Sequence, residues 1–158
     1  MTPVSADLLG LVVSRLQADD WFGPDPDIPV VSDESPTVLR DIQAAAARPI
    51  YALVSVAELR LEDGATLRAK VSILLREDVT INRGAADPGP EGTSTYKSAR
   101  GTAEVVLALL AAWAPGQGWS EFVNASASVV GDGQEPEDGR LEWLVEAETE
   151  AVLTTTTE

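Results

Sequence analysis

The chain contains no cysteine and no histidine. Without cysteine it has no disulfide, no thiolate nucleophile and no thiolate-bound zinc. Without histidine it has no Ser-His-Asp triad, no imidazole acid–base group and few ways to hold zinc or iron. Carboxylates, hydroxyls, lysine and tyrosine are what remain for chemistry. Long apolar runs are lacking too, since none approaches the roughly 18 residues that cross a bilayer. The opening MTPVSADLLGLVVSRLQADD has no basic leader, and Asp7 and Arg15 interrupt its apolar residues. It reads as a helix of the folded protein rather than a signal peptide. Positive charge is scarce: 11 basic residues stand against 26 acidic ones, a net charge of −15. Such an excess repels nucleic acid and anionic membrane surfaces. Neither is an expected partner.

What is present describes one ordinary globular domain. The chain has 158 residues, of which 44% are apolar and 23% charged. That length buries a core without staples. Residues 1–153 are expected to form a single domain, with 154–158 (TTTTE) a flexible tail.

The periodicity places the elements. Thr2-Pro3 is a cap signature, and Leu8, Leu9, Val12 and Leu16 follow on one helical face. The prolines of WFGPDPDIP end that helix. A short strand is expected over Pro29–Ser32, and a second helix opens at Ser35-Pro36 and closes at Pro49. The long stretch PIYALVSVAELRLEDGATLRAKVSILLREDVTI reads as a hairpin. A three-residue loop, Glu62-Asp63-Gly64, pairs Leu59 with Leu67 and Glu58 with Arg68. Residues 83–98 form a long inserted loop. A helix over Ser98–Trp113 is apolar nearly all round and is expected to be the most buried. Two strands close the chain, Phe122–Val130 and Leu141–Leu153. The order α-β-α-β-β-α-β-β makes an α+β fold, with four to five mainly antiparallel strands packed by about three helices.

Few features could carry chemistry. The segment INRGAADPGPEGTSTYKSARGTAEV is glycine-rich and precedes a helix. A phosphate loop needs G-x-x-x-x-G-K-[ST]. Here Thr93 follows Gly92 and Lys97 comes five residues after it, so the spacing fails. DGQEPEDG lacks the ligand spacing of a calcium loop. No acid pair can be picked out for hydrolysis, and no catalytic motif is recognisable, so no enzyme, cofactor or metal is expected. On the last strand Leu141, Trp143, Val145, Ala147 and Ala151 share one face, and Glu142, Glu146, Glu148 and Glu150 the other. The glutamate row reads as a solvated face, with Arg68, Lys70 or Arg76 as cross-strand partners. Trp113 and Trp143 read as core; Trp21, Phe22 and Trp119 would mark contacts if exposed.

The layout resembles the tail terminator or tail completion (minor tail) proteins of long-tailed bacteriophages. The resembling features run from SADLLGLVVSRLQADDWF through the hairpin to LEWLVEAETEAVL, and the most specific is V-x-x-N-R-G, here Val79, Asn82, Arg83 and Gly84. The resemblance implies a virion tail protein assembled in the host bacterial cytoplasm. Its partners would be itself, as a ring that is commonly a hexamer, the tail tube protein, and the head-tail connector or stopper. The ring stops tube growth and joins tail to head, without catalysis or cofactor. Glu142, Glu146, Glu148 and Glu150 would then line an acidic lumen past which DNA slides. Pro88, Pro90 and extra glycines lengthen the 83–98 loop beyond the family's pattern. Its Arg83, Tyr96, Lys97 and Arg100 are the expected interface residues, as basic or aromatic groups in an acidic protein. Two other readings stand beside this one: a monomeric cytosolic protein-binding adaptor, and a carboxylate-dependent hydrolase.

Overall fold

Leu8, Leu9, Val12 and Leu16 recur at helical spacing, and helix α1 (Val4–Gln17) buries all four against the sheet. The computed structural model describes residues 4–23, 27–84, 96–131 and 139–153. The expected cap at Thr2-Pro3, the calcium-like loop at 132–138 and the tail at 154–158 lie outside them. After α1 a 3-10 turn (Asp20–Phe22) forms, capped by the Asp19 carboxylate, which accepts the Trp21 amide.

Strand β1 (Val30–Ser32) runs parallel to β2 (Ile50–Glu62), so helix α2 (Val38–Ala46) is the crossover between them. Helix α2 begins later than the Ser35-Pro36 signature suggests, with Thr37 at the cap position and no side-chain capping bond. The reason is local. The Ser35 hydroxyl accepts the Thr37 amide and donates to the Asp41 carboxylate, to which Thr37 also donates. Ser35 therefore closes a turn instead of capping a helix.

Strand β3 (Thr66–Asp78) lies at the centre of the sheet, and the strand order is β1-β2-β3-β5-β4. It pairs antiparallel with β2 on one side and with β5 (Arg140–Val152) on the other, nearly end to end. β4 (Val123–Val129) forms the far edge. The fold is α+β, with a sheet that is antiparallel except at β1.

The hairpin loop departs from expectation by one residue, which shifts each cross-strand partner by two. Leu61 faces Leu67 and Glu58 faces Lys70, so the loop is Asp63-Gly64-Ala65 rather than Glu62-Asp63-Gly64. Asp63 and Gly64 both take positive φ, 49° and 73°, and that pair sets where the chain reverses. A bulge at Ala57 explains the sequence pattern of β2. Before it the core-facing residues are even-numbered (Ile50, Ala52, Val54, Val56); after it they are odd (Leu59, Leu61). One extra residue switches the parity and keeps both apolar sets on the same face.

β3 also ends earlier than its apolar run suggests. The chain turns at Asp78, whose carboxylate accepts the Ile81 amide, into a short helix α3 (Val79–Gly84). The inserted segment thus starts after Gly84, and residues 85–95 lie outside the described ones. Helix α4 (Ala99–Leu110) is capped by Ser98, whose hydroxyl accepts the Gly101 amide. It is shorter than the expected Ser98–Trp113, because Ala112 turns left-handed at φ 53°. It buries five residues, against four in α1.

Helices α1 and α4 cover one sheet face. The main core forms there from Leu8, Leu16, Ile73, Leu75, Val106, Leu110 and Val145, among others. Helix α2 covers part of the opposite face, over Val31, Tyr51 and Leu53. Trp119 and Phe122 are buried, and Trp113 stacks on Phe122 at 5.9 Å. Phe22 is buried as well, and the half-buried Trp21 donates its ring N–H to the Thr102 hydroxyl at 3.0 Å. These element-end aromatics are therefore core rather than exposed contacts.

Ile73 is fully buried, so Ile73→Ala is expected to cost about 3 kcal/mol through lost transfer and cavity terms. Leu61 is 57% exposed, and Leu61→Ala should stay within about 0.5 kcal/mol. Urea unfolding of both variants measures the contrast.

Candidate functional site

Along β3 the core-facing positions read Leu67, Ala69, Val71, Ile73, Leu75 and then Glu77. A carboxylate at the next step of an apolar series must find partners, and Glu77 is fully buried. Its Oε2 accepts Asn82 Nδ2 at 2.8 Å and Arg83 Nε at 2.9 Å. Its Oε1 accepts Arg83 Nη2 at 3.2 Å and the Ala99 amide at 3.0 Å. Burial pushes the Glu77 carboxyl up, but the bonds from Arg83, Ala99 and Asn82, with the Arg83 charge, outweigh it and hold the pKa below the usual glutamate value. The same carboxylate meets the first turn of α4, where backbone N–H groups need acceptors.

This carboxylate explains the V-x-x-N-R-G motif. Asn82 and Arg83 are its ligands, presented by α3. Asn82 Nδ2 also donates to the Lys97 carbonyl at 2.9 Å, and the Arg83 guanidinium stacks over the Tyr96 ring at 4.8 Å. Both flanks of the 85–95 segment are therefore fastened to one point. Gly84 itself is neither left-handed nor crowded.

The four expected interface residues part company. Lys97 turns toward the 3-10 turn, where Nζ donates to the Trp21 carbonyl at 2.6 Å and lies over the Trp21 ring. Arg83, Tyr96 and Arg100 converge instead on a cleft of about 340 Å³, walled by Ser98, Val129, Leu141 and Trp143. The cleft lies between the first turn of α4 and the core-side face of β5 and β4. Trp143, expected as core, packs against the core and also forms a cleft wall. Arg83 is joined to Glu77 within the chain through Nε and Nη2.

The glutamate row lies on the opposite face, as its alternation suggests, and is interleaved with cations. Arg68 contacts Glu148 at 2.8 Å and also pairs with Glu150; Arg76 reaches Glu142 at 3.5 Å, and Lys70 reaches Glu58 at 3.8 Å. The Arg68 hydrogen bond, then that from Asn124, holds the Glu148 pKa below its usual value. Glu146 faces Ser72 and Ser126 and has no ion pair among the described residues. The face is a lattice of pairs, not a uniformly acidic wall.

Two other concavities carry less. One of about 490 Å³ lies between the end of α1 and β1 and includes Asp19, Asp27 and Arg48. Asp19 is spent as a cap there. The other gathers Arg48, Arg76 and Arg140 around Tyr51, but its 10 Å³ is sized for a water. Among the described residues no cluster of three or more acids could hold a metal ion, and no helix is long and apolar enough to cross a membrane. No family model matches the chain, and no curated protein matches it.

The sequence singled out Arg83, Tyr96 and Arg100, which line one cleft, but not Glu77 or the Val129–Leu141–Trp143 wall. The signal for Glu77 was its place in the apolar alternation, with Asn82 and Arg83 one helical turn beyond. The wall had no local signal, because it is assembled by strand pairing.

Glu77→Ala is expected to cost about 3 kcal/mol, since it strands a partly buried arginine and leaves the Ala99 amide without its acceptor. A depressed folded pKa adds stability above the unfolded value, and this is lost as pH falls through the folded one. Wild-type stability should therefore drop as pH falls below about 4.5, the ordinary glutamate value, and Glu77→Gln should flatten that drop. Urea midpoints measured between neutral and acid pH check this.

Proposed function

We propose that this chain is a structural assembly subunit: a ring-forming protein of the phage tail terminator kind, which stops growth of the tail tube and presents a surface to the head connector. The observation that carries the assembly part is the free end of the β2–β3 hairpin. Leu59 and Leu61 project from the core-side face and are 50% and 57% exposed. Leu153 adds a third apolar group at 37%, its amide bonded to the Ala65 carbonyl in the hairpin loop. Neighbouring apolar groups left open on a long hairpin favour a partner surface. The bulge at Ala57 is what points Leu59 and Leu61 this way.

Support for the tail-terminator part comes from the element order. The α-β-α-β-β-α-β-β succession on which the resemblance rests is present, with one short helix added. The N-R-G exit from the hairpin serves as an architectural joint around Glu77. The acidic-lumen idea gains less support, because Arg68, Lys70 and Arg76 break up the row Glu142, Glu146, Glu148, Glu150.

Light-scattering mass over a concentration series tests the assembly. Wild-type protein is expected to grow to a defined oligomer. The Leu59→Glu/Leu61→Glu variant should stay smaller at matched concentration while keeping its thermal stability. A wild-type monomer at every concentration, alone or with tube protein, would favour the adaptor reading instead.

A further inference from the structure

The cleft beside α4 holds unspent polar groups. Arg83 commits Nε and Nη2 to Glu77, which leaves Nη1 free of protein partners among the described residues. Arg100 is exposed and has no ion pair or hydrogen bond there, and the Tyr96 hydroxyl has none either. The walls are apolar: Val129, Leu141 and Trp143. Two guanidinium groups above an aromatic and aliphatic floor suit a segment that offers carboxylates beside one apolar side chain.

Such a segment stands at the other edge of the same sheet. β4 and β1 are the two edges, four strand spacings or roughly 19 Å apart. The turn that leaves β1 exposes Asp33 and Glu34 side by side. Desolvation, then the Glu34 charge, raises the Asp33 pKa, so its carboxylate lacks a compensating cation. Five residues after Glu34, in the first turn of α2, Leu39 is the most exposed large apolar side chain among the described residues, at 76%. Each copy thus carries an acidic, leucine-tipped edge and a basic, tryptophan-floored edge.

We propose that the Arg83–Tyr96–Arg100–Trp143 cleft receives the Asp33–Glu34 turn and Leu39 of a second copy of this chain, as the head-to-tail contact of the ring. This rests on the assembly reading above and adds to its apolar hairpin tip a second contact, between the two sheet edges. A contact between two different patches repeats from copy to copy and closes where the rotation allows. Glu77 would then act twice, bracing Arg83 within the subunit and so fixing the receiving edge.

The test is charge reversal at the two edges, read by sedimentation velocity over a concentration series. Arg100→Glu alone, or Asp33→Lys/Glu34→Lys alone, should raise the concentration needed for association by at least about tenfold. Arg100→Gln should give a smaller rise. All three positions are exposed, so circular dichroism and melting temperature should match wild type. An equimolar mixture of the two reversed variants should associate again, because each meets a complementary edge on the other. Wild-type association that neither reversal weakens overturns the proposed interface and leaves the assembly reading standing. Reversals that lower the melting temperature without changing mass also overturn it, since the acidic partner then lies in the same chain. Wild-type protein that is monomeric throughout, alone and with tube protein, overturns both.

Discussion

A buried glutamate needs donors, and the architecture around the end of β3 follows from how Glu77 obtains them. It sits where the next apolar residue of the central strand would be. Its four hydrogen bonds come from a short helix, from an arginine on that helix and from the first turn of α4. One carboxylate thereby fixes where β3 stops, how α3 is oriented and where α4 begins. It also positions Arg83 over Tyr96, and so shapes the cleft. Burying an acid costs several kcal/mol unless it is paired. Here the pairing is complete enough to hold the group ionised.

The two sheet faces divide the remaining work. The core-side face is covered by α1 and α4 except at the cleft beside Trp143 and at the hairpin tip, where Leu59 and Leu61 emerge. The other face is covered by α2 over Tyr51 and Leu53, and elsewhere carries alternating charges. Mixed charge on an open face keeps it wet without giving it one sign. The net charge of −15 is thus not expressed as an acidic wall on this face, and the free basic groups of the cleft stand out against it.

Much of this was legible in the sequence because it is local or periodic. The spacing of Leu8, Leu9, Val12 and Leu16 marked α1, and the two faces of β5 could be separated by alternation alone. The parity change between Val56 and Leu59 was also visible, but its meaning depends on a bulge that only strand pairing reveals. The hairpin loop moved by one residue because both registers keep leucine opposite an apolar partner, and the left-handed pair at Asp63-Gly64 decides between them. Helix α2 started late because Ser35 found Asp41. The cleft was half legible: Arg83, Tyr96 and Arg100 are near in sequence, whereas Val129, Leu141 and Trp143 arrive from the far side of the sheet.

On the function proposed here, the chemistry of this chain is contact rather than reaction. The most direct test of that claim uses function, not mass. Tail tube protein from the same genome is polymerised in the presence of this protein, and tube lengths are measured by electron microscopy. The account predicts shorter tubes of narrow length distribution, with the added protein at one end only. Tubes of unchanged length with bare ends would contradict it.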